Sequence, residues 1–189
     1  MRIQIVALLT TFIGVSFLNS EAFAAMTCNR KQSATNCMVC NCYHESRGEA
    51  FDGMVAVTKV VLSRMEANAH PDTACGVIYE DSQFSWTQDR HPNNISPTRS
   101  DDKKGLEQCK KAVALAVKEG PNDIIYYYNP QVARPYWARS MTRCGVIDNH
   151  AFLVPRGESC PKKLGANGKT SQKKTSGGSS SKKSASGVR

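Results

Sequence analysis

The chain has 189 residues, and 40% of them are hydrophobic, which is enough to form a buried core. Its net charge of +9 is concentrated at one end: residues 161–189 carry seven lysines and one arginine and no acidic residue, which leaves residues 25–160 near +1. Specific nucleic-acid binding is not expected of this nearly neutral part, because phosphate recognition needs clustered basic side chains on a folded face. Its length suits one compact domain.

The first 24 residues have the features of a secretory signal peptide. Arg2 precedes the apolar run IVALLTTFIGVSFL, which is short for a membrane span, and Ala22-Phe23-Ala24 has the pattern of a cleavage site. A single membrane anchor is the less favoured alternative, because of that short length. We therefore predict export to the periplasm or the exterior.

All eight cysteines follow the predicted cleavage site. An even number of cysteines in an exported chain favours a disulfide framework. The alternative is zinc, because the cluster from Cys37 to His44 has the spacing C-x-x-C-x-C-x-H, but a second ligand cluster is missing. We expect disulfides and neither a metal nor another cofactor. The candidates are Cys28, Cys37, Cys40, Cys42, Cys75, Cys109, Cys144 and Cys160.

Two helices are predicted in the first half of the domain. Residues 38–47 can be helical, with Gly48 as the interruption. Asp52 is predicted to cap a second helix over residues 53–69, which has apolar residues at helical spacing and is stopped by His70-Pro71.

The rest of the domain is less regular, apart from one further helix. Residues 71–81 indicate a turn or short strand, and residues 83–97 contain too many Asn, Pro and Ser for regular structure. Residues 101–120 form the clearest helical pattern, and residues 123–155 are aromatic and weakly strand-like. The predicted class is α+β, helix-dominated, with long loops. The Gly/Ser/Lys-rich tail, residues 161–189, is predicted to be disordered.

Two glutamates flank the predicted end of the first helix, in the stretch NCYHESRGEAFDG. Glu45 falls at the helix C-terminus, where the carbonyl groups are partially negative, and Glu49 adds a like charge nearby. Both effects raise a carboxyl pKa, and a carboxyl that stays protonated suits general acid catalysis. The alternative is that Glu45 is solvated and Glu49 pairs with Arg47 or Arg64. His44 is not expected to bond Glu45, because adjacent helical residues point about 100° apart.

Aromatic side chains are the other candidates for a site. Trp86, Trp137 and the run Tyr126–Tyr128 could line a polysaccharide cleft, since sugar rings stack on aromatic faces. The alternative is that they fill the core and its rim.

Three ordered blocks resemble a known family. The stretch CYHESRGEAFDGMVAVTKVVLSRM resembles the E-A-R-G-E…G…A-V…V…N-R signature of the SleB-like cell-wall hydrolases, the spore-cortex-lytic enzyme family. HPDTACGVIYEDSQFSWT then resembles its P-x-T…V-I-Y…Q-F-S-W segment, and YYYNPQVARPYWARSM…GVIDNHAFLV resembles its closing N/P…P-x-W-A…I-G-x-H-x-F pattern. The blocks cover residues 37–154, and the chain departs from the pattern at Ser46, Ser63 and Asp148-Asn149.

The resemblance implies a lysozyme-like domain, expected to be monomeric, that cleaves the β-1,4 bond between N-acetylmuramic acid and N-acetylglucosamine in peptidoglycan. By position, Glu45 matches the catalytic acid. Other motif positions are assigned to cleft construction and glycan binding: Glu49, Gln83, Phe84, Ser85, Trp86, Trp137 and His150.

Several alternatives stay open at this point. With Glu45 alone, a lytic transglycosylase is natural, whereas water positioned by Glu49, Asp52 or Asp81 would make a hydrolytic lysozyme. A wall-binding or inhibitory module of the same fold without turnover is a further alternative. The basic tail either adheres to an anionic wall or membrane surface or only solubilises the protein. Whose wall is attacked, and whether its glycan is acetylated, also stays open.

Overall fold

Helices dominate the domain in a computed structural model that describes residues 25–89 and 93–167. The α-helices within these ranges are α1 (Ala34–Ser46), α2 (Phe51–Glu66), α3 (Ala74–Ile78) and α4 (Ser100–Glu119). Two 3-10 helices span Ser85–Thr87 and Tyr136–Ser140, and the strands are β1 (Tyr126–Tyr128), β2 (Met141–Ile147) and β3 (His150–Pro155). The predicted α+β, helix-dominated class with long loops is confirmed. The predicted signal peptide lies outside the described residues.

Three disulfides join helix α1 to other segments of the chain. It begins where the Ser33 side chain accepts a hydrogen bond from the Asn36 amide at 3.2 Å, four residues before the predicted start. Its three cysteines bridge to an N-terminal segment, to α3 and to α4, and a fourth disulfide braces the sheet. The pairs are Cys28–Cys40, Cys37–Cys75, Cys42–Cys109 and Cys144–Cys160. The predicted disulfide framework is thus confirmed, and it fixes the helix that carries Glu45.

Helix α2 lies between the helical core and the sheet. Val55 and Val61 pack with the other helices, whereas Val57 and Val60 pack with a second cluster that includes Phe152 of β3. These side chains are fully buried. The central position of α2 explains why its apolar residues cover more than one face.

The start of α2 differs from the prediction. Ala50, not Asp52, is the N-cap residue, and the Asp148 carboxylate from the β2–β3 turn accepts a hydrogen bond from the Ala50 amide at 2.9 Å. The Asp52 carboxylate instead accepts hydrogen bonds from the Asn167 amide and side chain. The cap of α2 therefore comes from a distant turn, which local sequence patterns do not reveal.

The prediction of a turn or strand over residues 71–81 is wrong, because α3 forms there. The Thr73 hydroxyl accepts a hydrogen bond from the Gly76 amide at 3.1 Å and caps the helix. Val77 and Ile78 are buried against the core, and Cys75 is tied to α1. Capping and burial outweigh the β-propensity of these residues.

The sheet is antiparallel, with strand order β1-β3-β2. Side chains alternate along β1, so that Tyr127 points away from the face that carries Tyr126 and Tyr128. The rings of Tyr126 and Tyr128 each lie 5.8 Å from the Trp137 ring, whereas Tyr127 packs against His150 at 5.0 Å. The weakly strand-like prediction for this region is thus confirmed for three short strands.

The packed domain extends beyond residue 160, where the predicted disordered tail begins. Leu164 is 2% exposed and joins the cluster of α2 and the sheet. A side chain at Gly165 would come within 2.7 Å of the Asp52 carbonyl oxygen, so the segment lies directly on α2. One apolar residue inside a polar stretch gave too weak a signal to predict this. Residues 161–167 therefore pack with the domain, and residues 168–189 lie outside the described part.

No helix within the described residues has both the length and the apolar character needed to cross a membrane.

Candidate active site

Glu45 lies in the last turn of α1 and is half-buried. Its Oε2 accepts a hydrogen bond from the Tyr127 hydroxyl at 2.9 Å. Burial raises the pKa of Glu45, and the Tyr127 hydrogen bond and the charges of His150 and Arg64 oppose this increase only in part. The predicted direction is confirmed for Glu45. The cause differs, because burial outweighs the charge of the neighbouring glutamate.

Glu49 pairs with His150, not with the arginines considered from the sequence. The His150 Nδ1 lies 3.0 Å from Oε1 and 3.2 Å from Oε2 of Glu49. The side chains are 7% (Glu49) and 8% (His150) exposed. A side chain at Gly53 would come within 2.7 Å of Glu49 Oε2, so the glycine makes room for the carboxylate at the start of α2. This pair joins the segment before α2 to the start of β3.

A cleft of about 410 Å³ opens beside Tyr127. Tyr127 links the cleft to Glu45, because its side chain lines the cleft and its hydroxyl bonds the carboxyl group. Both aromatic rings and polar side chains line the cleft, as expected of a site for a polar ligand with apolar faces. The lining residues are Arg64, Ala69, His70, Ser82, Gln83, Ile125, Tyr126, Tyr127 and Trp137.

Arg64 of α2 contacts two other segments of the chain beside the cleft. Its Nε donates a hydrogen bond to the Ile125 carbonyl at 3.0 Å, just before β1, and its guanidinium lies 5.3 Å from the centre of the Phe84 ring. Burial lowers the pKa of Arg64, which the charges of Tyr127, Glu80 and Glu45 oppose. The Nη1 atom is buried and has no hydrogen-bond partner among the described residues.

His70 also lines the cleft, and Glu80 holds its ring. The His70 Nδ1 lies 2.8 Å from Glu80 Oε2, and the side chains are 13% (His70) and 27% (Glu80) exposed. From the sequence, His70 was predicted only to help stop α2, and Glu80 had no predicted role. A histidine just after a helix is a weak signal, and its pairing depends on α3 folding back, which was predicted as a turn or strand.

The structure separates the predicted glycan-binding residues into two groups. Gln83 and Trp137 line the cleft. Phe84 is 1% and Trp86 is 6% exposed, and the Trp86 Nε1 donates to Asn41 Oδ1 at 3.0 Å. These two rings are buried, as His150 is, and they do not line the cleft.

Ser85 and His44 do not line the cleft. Ser85 is exposed on its 3-10 helix and does not line the cleft. His44 stacks on Trp86 at 4.5 Å, and its Nε2 lies 3.0 Å from the Asn93 carbonyl oxygen. His44 therefore faces away from Glu45, as the helical geometry predicted. Within the described ranges, no group of three or more His, Cys, Asp or Glu side chains is placed to hold a metal ion.

A half-buried glutamate at a helix end beside an aromatic cleft, in a helix-dominated α+β domain, is typical of a lysozyme-like protein. Residues 48–153 match the family described as Cell Wall Hydrolase. This span exceeds half of the chain, and the protein therefore belongs to the cell wall hydrolase family. The matched span begins after Glu45, so the role of Glu45 depends on the geometry and on the motif that precedes the span.

Related proteins agree with the SleB-like resemblance. The spore cortex-lytic enzyme of Bacillus cereus is 34% identical over 112 residues, which are 58% of this chain and 40% of that protein. The corresponding enzyme of Oceanobacillus iheyensis is 30% identical over 116 residues, covering 58% of this chain and 37% of that protein. The chain thus spans about two fifths of the length of these curated relatives.

Two solved structures share the fold. The catalytic domain of the Bacillus cereus SleB protein has a TM-score of 0.54 and 31% identity, covering 64% of this chain and 89% of that domain. The catalytic domain of the germination-specific lytic transglycosylase SleB from Bacillus anthracis has a TM-score of 0.54 and 30% identity, covering 67% and 99%. The predicted SleB-like family and lysozyme-like fold are confirmed.

Proposed function

We propose that the protein is an exported peptidoglycan glycosidase that cleaves the β-1,4 bond between N-acetylmuramic acid and N-acetylglucosamine. The observation that carries this proposal is the half-buried Glu45 carboxyl, which Tyr127 holds by a hydrogen bond next to an aromatic cleft. Membership of the cell wall hydrolase family supports peptidoglycan as the substrate.

Glu45 acts as the general acid in the first step. Its proton passes to the glycosidic oxygen as the bond from that oxygen to C1 of the muramic acid breaks. Because burial raises the pKa of Glu45, the carboxyl keeps its proton at pH values where an exposed glutamate has lost it. The Tyr127 hydroxyl and the Arg64 charge then stabilise the carboxylate that remains.

The second step has two routes. If Glu45 takes a proton from the C6 hydroxyl of the muramic acid, a 1,6-anhydro ring closes, as expected of a lytic transglycosylase. If water attacks C1, a reducing end forms, as in a lysozyme. The lytic transglycosylase named among the structural relatives supports the first route.

None of the carboxylates considered from the sequence as positioning water lines the described cleft. Glu49 is held by His150 and Asp52 by Asn167. Asp81 is exposed. The contacts of Glu49 and Asp52 favour supporting roles for these two residues.

The basic residues near and beyond position 161 are proposed to bind an anionic wall or membrane surface. Lysine-rich segments of this kind attract anionic polymers, and the interaction weakens with salt. A monomer suffices for both proposals.

Digestion of purified peptidoglycan tests the proposed reaction. Mass spectrometry should detect released muropeptides, with 1,6-anhydro ends for the first route and reducing ends for the second. Glu45→Gln should lower the rate by at least about 10²–10⁴-fold, the usual contribution of a general acid. The melting temperature of the variant is the control for folding. Wall binding without release by the wild-type protein would favour the alternative of a module without turnover.

A further inference from the structure

The sheet face that carries Tyr126 and Tyr128 continues from the cleft to an exposed arginine. We call it the outer face, formed by Tyr126 and Tyr128 of β1, Leu153 of β3 and Arg143 of β2. Tyr126, Leu153 and Arg143 are partners in register across the three strands, and cross-strand partners point to the same side of a sheet. Tyr126 lines the cleft at one end of this row. Arg143 lies exposed at the other end, roughly 10 Å away, which is two strand spacings.

Aromatic contacts connect the cleft to Arg143. Trp137, which also lines the cleft, lies 5.8 Å from both the Tyr126 and the Tyr128 rings. The Tyr128 hydroxyl accepts a hydrogen bond from Arg143 Nη2 at 3.1 Å. This bond orients the guanidinium beside the rings, and a guanidinium has five N–H donors, so donors remain for a ligand. A ligand that stacks on the aromatic side chains of the cleft can therefore reach Arg143 along one surface.

The segment that forms this region is positively charged. Residues 124–147 contain three exposed arginines and no acidic residue. Among the described residues, none of these arginines forms an ion pair with an acidic side chain. The three are Arg134, Arg139 and Arg143. The same segment holds Val132 and Tyr136, which are 81% and 85% exposed. Exposed arginines beside exposed apolar side chains favour a binding surface for an anionic ligand.

Peptidoglycan strands carry their negative charge on short stem peptides and not on the sugar rings. Each stem peptide is joined to the lactyl group of a muramic acid and projects sideways from the strand, with free carboxylates along it. A strand stacked on Tyr126 and Trp137 can place such a peptide over the outer face, within reach of Arg143. Arginine suits this ligand, because its guanidinium can bind a carboxylate through two parallel hydrogen bonds.

We propose that Arg143, positioned by Tyr128, binds a carboxylate of a stem peptide, so that the protein prefers glycan strands that carry anionic peptides. The outer face is then a peptide-binding extension of the cleft. The inference rests on the proposed glycosidase function and identifies a part of the substrate that is recognised outside the cleft. Strands whose peptide carboxylates have been converted to amides should be poorer ligands.

Binding of soluble strands to the full chain tests the proposal, in a Glu45→Gln background that suppresses cleavage. Arg143→Gln should raise the Kd for peptide-bearing strands about three- to fivefold, the scale of an exposed ion pair. Arg143→Lys keeps the charge and should bind these strands more tightly than Arg143→Gln. Strands with amidated carboxylates should bind all three proteins alike. Arg30→Gln, which removes an exposed arginine from the segment that Cys28 ties to α1, is the matched control and should bind as the parent does.

The basic tail is present in every variant, so its contribution cancels in these comparisons. In the active protein, the loss caused by Arg143→Gln should appear in KM more than in kcat, as expected of a group that contributes to binding.

The outcomes separate this inference from the proposed function. Equal Kd values for the parent and Arg143→Gln on peptide-bearing strands, with an unchanged melting temperature, overturn the inference. A loss of the same size on amidated strands also overturns it. So does an equal loss on peptide-free strands, whose carboxylate is on the lactyl group. In each case the glycosidase function stands if wild-type protein releases muropeptides from the wall. If it releases none, the proposed function itself fails.

Discussion

Two glutamate–histidine pairs in the described part of the chain contain the same chemical groups in different surroundings. The Glu49–His150 side chains are 7% and 8% exposed, and the pair lies behind the acid between α2 and β3. The Glu80–His70 side chains are 27% and 13% exposed, and His70 borders the cleft. The comparison indicates that location, more than residue type, separates a structural brace from a group that can react.

The Glu49–His150 pair is connected to Glu45 through Tyr127. The His150 ring contacts the Tyr127 ring edge to face at 5.0 Å, and the Tyr127 hydroxyl bonds Glu45. The Glu49–His150 pair therefore supports the wall against which Tyr127 and Glu45 are held. In the Glu80–His70 pair, His70 lines the cleft together with Tyr127.

Glu49→Ala should have the largest effect on stability. Removing one partner of a buried, hydrogen-bonded pair costs about 3 kcal/mol of unfolding free energy, because the other partner stays buried without its bond. The matched variant Glu80→Ala should cost about 1 kcal/mol or less, because its pair is more exposed to water. Denaturant unfolding of both variants measures the difference. Equal losses would show that burial does not separate the two pairs.

Truncation should separate the contribution of residues 161–167 to stability from that of the residues after 167, with a somewhat smaller effect than Glu49→Ala. Ending the chain after Cys160 removes Leu164, whose burial contributes about 2 kcal/mol, and the bonds from Asn167 to Asp52 at the start of α2. Ending it after Asn167 should leave the melting temperature unchanged while reducing salt-sensitive binding to anionic walls. If both truncations melt alike, the packing of residues 161–167 does not support the domain.

The sequence allowed prediction of those features that local patterns encode. The apolar spacing of Val57, Val60 and Val61 predicted α2, and the same kind of pattern predicted α4. Eight cysteines in an exported chain predicted disulfides, although spacing alone did not give the pairs. Glu45 could be placed at a helix end, where a carboxylate is disfavoured, because Gly48 marks the end of the local pattern.

The remaining features depend on contacts between distant segments. The Asp148 cap of α2 and the pairing of Glu49 with His150 join positions about a hundred residues apart. The His70–Glu80 pair depends on α3, where capping and burial outweigh local β-propensity. Burial of Glu45, the main cause of its raised pKa, is produced by the whole fold and has no counterpart in the stretch around residue 45.

Tyr127→Phe should have the smallest effect on stability. It tests how the Tyr127 hydroxyl affects the pKa of Glu45. The Tyr127 hydroxyl lowers the pKa of Glu45, so its removal should raise that pKa further and move the basic limb of kcat/KM to higher pH. Tyr128→Phe removes a hydroxyl from the opposite face of β1, where it accepts a hydrogen bond from Arg143, and should leave that limb in place.

Tyr127→Phe should also lower the free energy of unfolding, and the size of this loss should depend on pH. A carboxyl whose pKa is raised in the folded state destabilises that state at pH values at which the same carboxyl is ionised in the unfolded chain. The variant should therefore lose about 1 kcal/mol of unfolding free energy near neutral pH, the usual contribution of one hydrogen bond. The loss should shrink below the ordinary pKa of a glutamate, where Glu45 is protonated in both states. A loss that is the same at acidic and neutral pH would mean that the hydroxyl supports packing and not the ionised form of Glu45.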